Sequence, residues 1–527
     1  MSVQPVLIAG EWQTPKDSPR TFTAENPATK SPLPDAYPIS GADDVERALQ
    51  AGHQAAAELR SYSPESVARF LERFADHIEA RADELIELAN LETALPVEPR
   101  LRNVELPRTA NQLRQAAQAA RSLSWCQATI DTASNIRSRF EPLGGPVVVF
   151  GPNNFPFAFN SGAGGDFAAA VAAGNPVIAK ANTGHPGTTR IFAEAAFDAV
   201  KASGLPKATV QLLYRVPPDV GFRLVSHPMV GATGFTGSKS AGLQLKAAAD
   251  KAGKPIYLEM SSVNPIFILP GALEERLTAI ADELFGSCAL GAGQFCTNPG
   301  LTIVQQNKES DTFIEALKTR FETTRPGILL GASGPKGIAE AVDVLQHHGA
   351  EILTGGKEAD LAGYAFANTL LRVSGDLFLE NPHVMQTEAF GTVNLVVVAR
   401  DGGQMVAIAD RLEGNLTGCI YSHTGGNDDA FYGELEPALR QKVGRLLNDK
   451  MPTGVAVVPS MNHGGPYPAT GHPGFTAVGI PASMVRFAAL RCYDNVRQER
   501  LPVELRNANP TGTMWRLIDG EWTQRDV

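Results

Sequence analysis

The sequence predicts an α/β protein of two domains, or two plus a small appendage, built on mostly parallel sheets, and three observations carry that prediction. At 527 residues the chain is too long for one ordinary hydrophobic core. From residue 146 onward, short β-rich runs alternate with helical stretches, the pattern of parallel strands covered on both faces. After residue 300 a second series of the same kind begins.

The first series comprises 146–150, 176–180, 209–214, 229–235 and 255–260, and ligands in such a sheet sit at the C-terminal ends of the strands. The second comprises 301–305, 393–399, 416–422 and 454–458, separated by helical stretches such as 311–323. Upstream, residues 43 to 122 place apolar residues every three or four, which predicts helices packed on one face of the first sheet. LIAGEW (7–12) and LIDGEW (517–522) read as exposed hairpins about a central glycine turn. The Pro-rich tail from about 486 reads as too irregular for a core, and as a segment that reaches toward a neighbouring subunit.

Hydrophobic content of 43% with 19% charge is that of a soluble globular protein. A net charge of −10, from 46 basic and 56 acidic residues, leaves no basic surface for nucleic acid or anionic lipid. Cys126, Cys288, Cys296, Cys419 and Cys492 form no CxxC pair and no Cys/His ligand cluster, so no metal and a reducing cytoplasm are expected. The N-terminal residues carry no basic stretch followed by an apolar one, and no run approaches the about 18 apolar residues of a membrane span. Neither signal-peptide export nor membrane insertion is expected.

GAGQFCTNPG (291–300) sets Cys296 in a loop of little side-chain bulk, where a thiol nucleophile and its backbone N–H have room; a buried structural cysteine is the alternative. The proline-flanked amides that follow strand 146–150, Asn154 among them, are either oxyanion donors or turn-forming residues. Lys180 ends a strand before a helix opened by Pro186, within reach of a nucleotide's ribose or phosphate, unless it is simply solvated. GFTGSKSAG (234–242) lacks the G-x-G-x-x-G spacing, yet Gly234, Gly237 and Gly242 permit close approach of a pyrophosphate that Ser238 can bind; a tight turn explains them equally well. Glu259 closes an otherwise apolar strand, so it is either a general base or half of a salt bridge.

In order and spacing these segments resemble the aldehyde dehydrogenase superfamily over essentially the whole chain. The resemblance rests on Asn154-Phe155-Pro156, Lys180-Ala181-Asn182-Thr183, Phe235-Thr236-Gly237-Ser238, Leu258-Glu259-Met260, Gly293-Gln294-Phe295-Cys296-Thr297 and Glu388-Ala389-Phe390-Gly391. It implies a Rossmann-type nucleotide-binding domain (1–135 and 146–262), an α/β catalytic domain (263–480) and a small β oligomerisation arm (136–145 and 481–527) of a homodimer or homotetramer. It also implies Cys296 as nucleophile, Asn154 as oxyanion donor and Glu259 as base for thioester hydrolysis. Lys180 and Ser238 would then hold the nucleotide, and Glu388 with Phe390 the nicotinamide ribose and ring.

Thr183 stands where many relatives have a glutamate on the adenosine ribose, which favours NADP while leaving NAD possible. Asn153 and Thr392 replace a usual Trp and Pro without removing a catalytic group. PNNFPFAF, GQFCTNPG and NHGGPYPAT (462–470) resemble the branch of 2-oxoglutarate semialdehyde (2,5-dioxovalerate) dehydrogenases, which also contains a bacterial fatty-aldehyde dehydrogenase. A keto-acid substrate needs a cation, for which Arg108 is chosen over Arg114 unless both are simply exposed on the surface, whereas Phe157 and Tyr467 would line a tunnel for an alkyl chain.

Overall fold

The computed structural model describes residues 3–14 and 20–527. Its first sheet runs, edge to edge, Ile256–Glu259, Ala232–Thr236, Val147–Phe150, Val177–Lys180, Val210–Leu213, Val6–Ile8 and Glu11–Gln13. The five strands from Ile256–Glu259 to Val210–Leu213 are parallel, and their short Val-, Ile- and Leu-rich runs suit strands covered on both faces. From Val147–Phe150 the chain builds outward to one side through Val177–Lys180 and Val210–Leu213, then returns to build Ala232–Thr236 and Ile256–Glu259 on the other. That reversal opens a crevice beyond Phe150 and Phe235, where an open α/β sheet takes its ligand.

The second sheet is ordered Glu351–Thr354, Thr369–Ser374, Val393–Ala399, Leu301–Gln305, Ile266–Ile268, Asn415–Tyr421 and Val443–Asn448, parallel except for its first pair. A third sheet pairs Ala488–Asp494 with Ile136–Pro142, and continues through Thr129–Asp131, Arg516–Ile518 and Glu521–Thr523.

The structure corrects several sequence expectations. Residues 454–458 form no strand; Val443–Asn448 takes that place, and the carbonyls of Gly454 and Val457 accept from Arg445 and Gln115 side chains instead of from a ladder. Both LIAGEW and LIDGEW are hairpins turning at Gly10 and Gly520, but the first is not exposed: Val6, Leu7 and Ile8 are buried and Leu7 pairs with Leu212. The tail is not too irregular for a core, because Leu501, Leu505, Met514 and Ile518 join the apolar cluster of the first sheet. Of the upstream helices, Ala42–Leu59 lies on the sheet, with Gln211 Nε2 donating to Ala48 O at 2.8 Å. Pro64–Ala80 and Leu106–Ser122 lie one layer out, packed on each other and on the helices Pro186–Ser203 and Gly165–Ala172. Among the described residues no helix is long and apolar enough to cross a membrane.

Candidate active site

Cys296 lies between two cavities and lines both. One, of about 480 Å³, is the crevice of the first sheet; the other, of about 680 Å³, is bounded mainly by apolar side chains including Phe155, Phe159, Phe295, Val455 and Val457. The loop carrying the thiol is held from two sides. Asn264 Nδ2 donates to the carbonyls of Cys296 and Asn298 at 2.9 Å each. Gly293 has φ +74° and lies so close to the Gly391 backbone that a Cβ would come within 2.0 Å of it, so glycine is required there.

Glu259 and His463 are each 1% exposed and face the thiol. His463 Nε2 is 3.4 Å from Cys296 Sγ and 3.0 Å from Glu259 Oε1, while Glu259 Oε2 has no hydrogen-bond partner among the described residues. The NHGGPYPAT segment brings the imidazole there by pairing beside the Glu259 strand: Met260 N donates to Ala469 O at 2.8 Å and Gly471 N to Leu258 O at 3.0 Å. Burial pushes the Cys296 thiol well above its ordinary range, Glu259 adds to that, and the Arg108 charge opposes it. A thiol so placed needs a base, and His463 is within reach of its proton.

Asn154 Nδ2 donates to Gln294 O at 3.0 Å, which leaves the amide's second N–H for an oxyanion beside Cys296. The backbone carbonyl of Asn154 accepts from Arg100 Nη2 at 2.7 Å. Arg100 is stacked between Phe155 and Phe295, at 4.3 and 4.4 Å from the ring centroids, and its Nε donates to the fully buried Glu105 at 2.7 Å. Glu105 Oε2 in turn accepts from the N–H groups of Phe157 and Ala158. Arg100, Glu105 and His463 escaped the sequence reading. His463 lies inside NHGGPYPAT (462–470), one of the segments that carry the resemblance to the semialdehyde dehydrogenase branch.

On the crevice side, Lys180, Gly237, Ser238, Glu388 and Phe390 all line the wall. Lys180 makes no ion pair among the described residues, and burial, with Arg215 nearby, lowers its pKa to about 8. Ser238 caps the helix Lys239–Lys251, and at Gly237 a Cβ would come within 2.9 Å of the Phe235 ring. Glu388 is pushed up by burial, against donors from Ser261 and Ser262. An unpaired cation, a helix N-terminus and a close-packed backbone turn in one crevice fit a dinucleotide.

Other predicted residues fall elsewhere. Gly234 makes room for the Asp166 carboxylate, 2.5 Å from where a Cβ would sit, and does not line the crevice. Gly242 packs against Phe235 and Met260 one turn inside the helix. Thr183 is exposed beside the crevice, and its neighbour Asn182 lines it. Phe157 is fully buried against Phe192, because the side chains on either side of it, Phe155 and Phe159, are the ones turned to the apolar cavity. Tyr467 is 62% exposed and lines neither cavity. Arg114 is on the surface, paired with Asp76 and Glu79. Arg108, by contrast, lines the apolar cavity over Phe159, with Nε and Nη2 buried and unpartnered among the described residues. The expectation of no ligand cluster also fails, since Cys296, His463 and Glu259 are brought together from distant segments.

A thiol at the meeting of a crevice that fits a dinucleotide and an apolar cavity suits a cysteine-dependent dehydrogenase. The chain belongs to the aldehyde dehydrogenase family, whose profile matches residues 12–437. It is 38% identical to alpha-ketoglutaric semialdehyde dehydrogenase 2 of Azospirillum brasilense over 95% of this chain and 96% of that one. It is 36% identical to the alpha-ketoglutaric semialdehyde dehydrogenase of Acinetobacter baylyi over 93% and 94%. Among solved structures, a Pseudomonas syringae aldehyde dehydrogenase in complex with NAD+ and octanal shares the fold, with a TM-score of 0.79 at 21% identity over 93% of this chain and 96% of that one.

Proposed function

We propose that the protein oxidises 2-oxoglutarate semialdehyde to 2-oxoglutarate with a nicotinamide dinucleotide, NADP in preference to NAD. The observation that carries the substrate assignment is Arg108. A guanidinium with two buried, unpartnered nitrogens in an apolar cavity ending on the nucleophile is costly unless a ligand anion completes it. A five-carbon keto acid with its aldehyde at Cys296 offers that anion, and the semialdehyde-oxidising relatives support the same reading.

Cys296 gives its proton to His463 Nε2, and the imidazolium is held by the Glu259 carboxylate. The sulfur adds to the aldehyde carbon, and the oxyanion is met by Asn154 and the Cys296 N–H. The dinucleotide, when bound in the crevice, supplies the hydride acceptor. Water then opens the thioester on Cys296, giving its proton to Glu259; the departing thiolate takes its proton back from His463, Glu259 releases the other to solvent, and the acid departs. Glu259 favours water over coenzyme A as the acceptor of the acyl group.

Thr183 offers a hydroxyl rather than a carboxylate to a 2′-phosphate, and Arg215 near Lys180 adds a second cation at that end. A homodimer or homotetramer in the cytoplasm is supported by the edge strand Ala488–Asp494, with Leu490 62% exposed, and by five free thiols. The apolar cavity walls favour a long-chain aldehyde as the second reading.

The deciding measurement is kcat/KM for 2-oxoglutarate semialdehyde and for octanal, with NADP and NAD, in the wild type and in Arg108→Leu. Loss of about 100-fold toward the keto acid alone, the worth of a buried charge-assisted pair, supports the assignment. Preference for octanal in the wild type moves the function to the second reading.

A further inference from the structure

Cys296 Sγ, His463 Nε2 and a Glu259 carboxylate oxygen all lie within 4.8 Å of one another. The 3.4 Å from sulfur to nitrogen matches an edge of a tetrahedron around Zn²⁺ with ordinary bond lengths, and the 3.0 Å from nitrogen to oxygen, a hydrogen bond in the metal-free site, has to open by only ~0.4 Å to match another. Nε2 faces both other donors, so its lone pair points toward the space between them. The unpartnered Glu259 Oε2 is buried at the same place, a carboxylate oxygen short of a donor or a cation. Cys296 opens to both cavities, leaving a fourth position for water.

We propose that Cys296, His463 and Glu259 form a three-ligand site for a thiophilic divalent cation such as Zn²⁺, whose binding silences the nucleophile. Zn²⁺ replaces the thiol proton, forming one Zn–S bond and releasing H⁺ to solvent. His463 keeps its proton on Nδ1 and gives its Nε2 lone pair; Glu259 binds as carboxylate. The two anionic ligands cancel the charge of the ion, so the buried site becomes neutral. That neutrality answers the positive charge of Arg108, which is near enough to be felt at both Cys296 and Glu259 and by itself opposes a cation. The sulfur and imidazole donors select against Mg²⁺ and Ca²⁺, which take oxygen shells. The Zn–S bond draws charge from the sulfur and the ion with its water occupies the approach to it, so metal and aldehyde compete for the same sulfur whatever the aldehyde is.

The test uses the full-length protein, stripped with a chelator and without substrate. Zn²⁺ is titrated while iodoacetamide labelling of the Cys296 peptide is followed by mass spectrometry, and Co²⁺ is titrated while thiolate-to-metal charge-transfer absorption is recorded. One equivalent of Zn²⁺ is expected to protect Cys296 with release of a proton, to be reversed by EDTA, and to have no counterpart with Mg²⁺. His463→Gln should weaken protection by ~100-fold or more, beyond what loss of an outer-sphere partner costs. Cys296→Ser should abolish the Co²⁺ band. Glu259→Gln serves in place of His463→Gln if circular dichroism shows the latter unfolded. Equal protection in the wild type and the ligand variants, or unchanged labelling of the wild type in excess Zn²⁺, overturns the proposal. Because no turnover is measured, either result is independent of the substrate assignment.

Discussion

His463 Nε2 lies 3.4 Å from Cys296 Sγ, although the two residues are 167 positions apart. In the proposed mechanism this imidazole is the base for a thiol that burial and Glu259 both push up. His463→Gln should therefore lower kcat by about 10²–10⁴-fold at neutral pH, the ordinary worth of a positioned base. The lost rate should return in part as pH rises and the thiol ionises unaided. A pH–rate profile checks this: an unshifted profile with uniformly lower activity would mean that His463 only packs.

Arg100 and Glu105 make a buried ion pair whose cation also holds the Asn154 carbonyl. Arg100→Met should destabilise the protein by about 3–5 kcal/mol, since it strands the Glu105 charge in the interior. The double variant Arg100→Met/Glu105→Gln should recover much of that stability in urea denaturation. It should not recover kcat, because the oxyanion loop is still untethered. Full recovery of kcat together with stability would show that Arg100 serves folding alone.

The sheets were legible where composition is one-sided. Val147–Phe150 is an uninterrupted apolar run and Val177–Lys180 is one up to its last residue, and short β-branched runs of that kind suit strands buried on both faces. Residues 454–458 misled for a physical reason. Val455 and Val457 turn toward the apolar cavity and their neighbours toward solvent, so an extended loop wears a strand's period. Arg108 was legible as chemistry but not as burial, because nothing local tells an arginine in a cavity from one on a surface such as Arg114. Glu105 and His463 were hidden because what they hold is distant in sequence: Glu105 accepts from Phe157 and Ala158, 52 and 53 positions away, and His463 meets Cys296 and Glu259, 167 and 204 away.

Lys180 carries the next expectation. With its pKa lowered to about 8 by burial and by Arg215, the crevice loses this cation as pH rises through that value. Dinucleotide KM should be flat below pH 7.5 and rise by about tenfold per pH unit well above pH 8, as the protonated fraction falls. Lys180→Met should start from a higher KM and lack the rise. A wild-type KM that stays constant to pH 9.5 would remove Lys180 from nucleotide binding.

Glu92 should make stability itself depend on pH. It is buried beneath the first turn of the helix Pro186–Ser203, accepting from Gly187 N at 2.8 Å, Thr188 N at 2.9 Å and Thr188 Oγ1 at 2.8 Å. Burial outweighs these donors and raises its pKa to about 7. Between its ordinary value and 7, the folded protein therefore holds a proton that the unfolded chain releases. The contribution is fully present below the unfolded-state pKa and is lost as pH rises through 7, on the order of 3 kcal/mol across the window. Glu92→Gln cannot ionise, so its stability in urea denaturation should change less between pH 4.5 and pH 8 than that of the wild type, by up to that amount. Parallel pH dependence in the two proteins would mean that the three donors keep Glu92 ionised throughout.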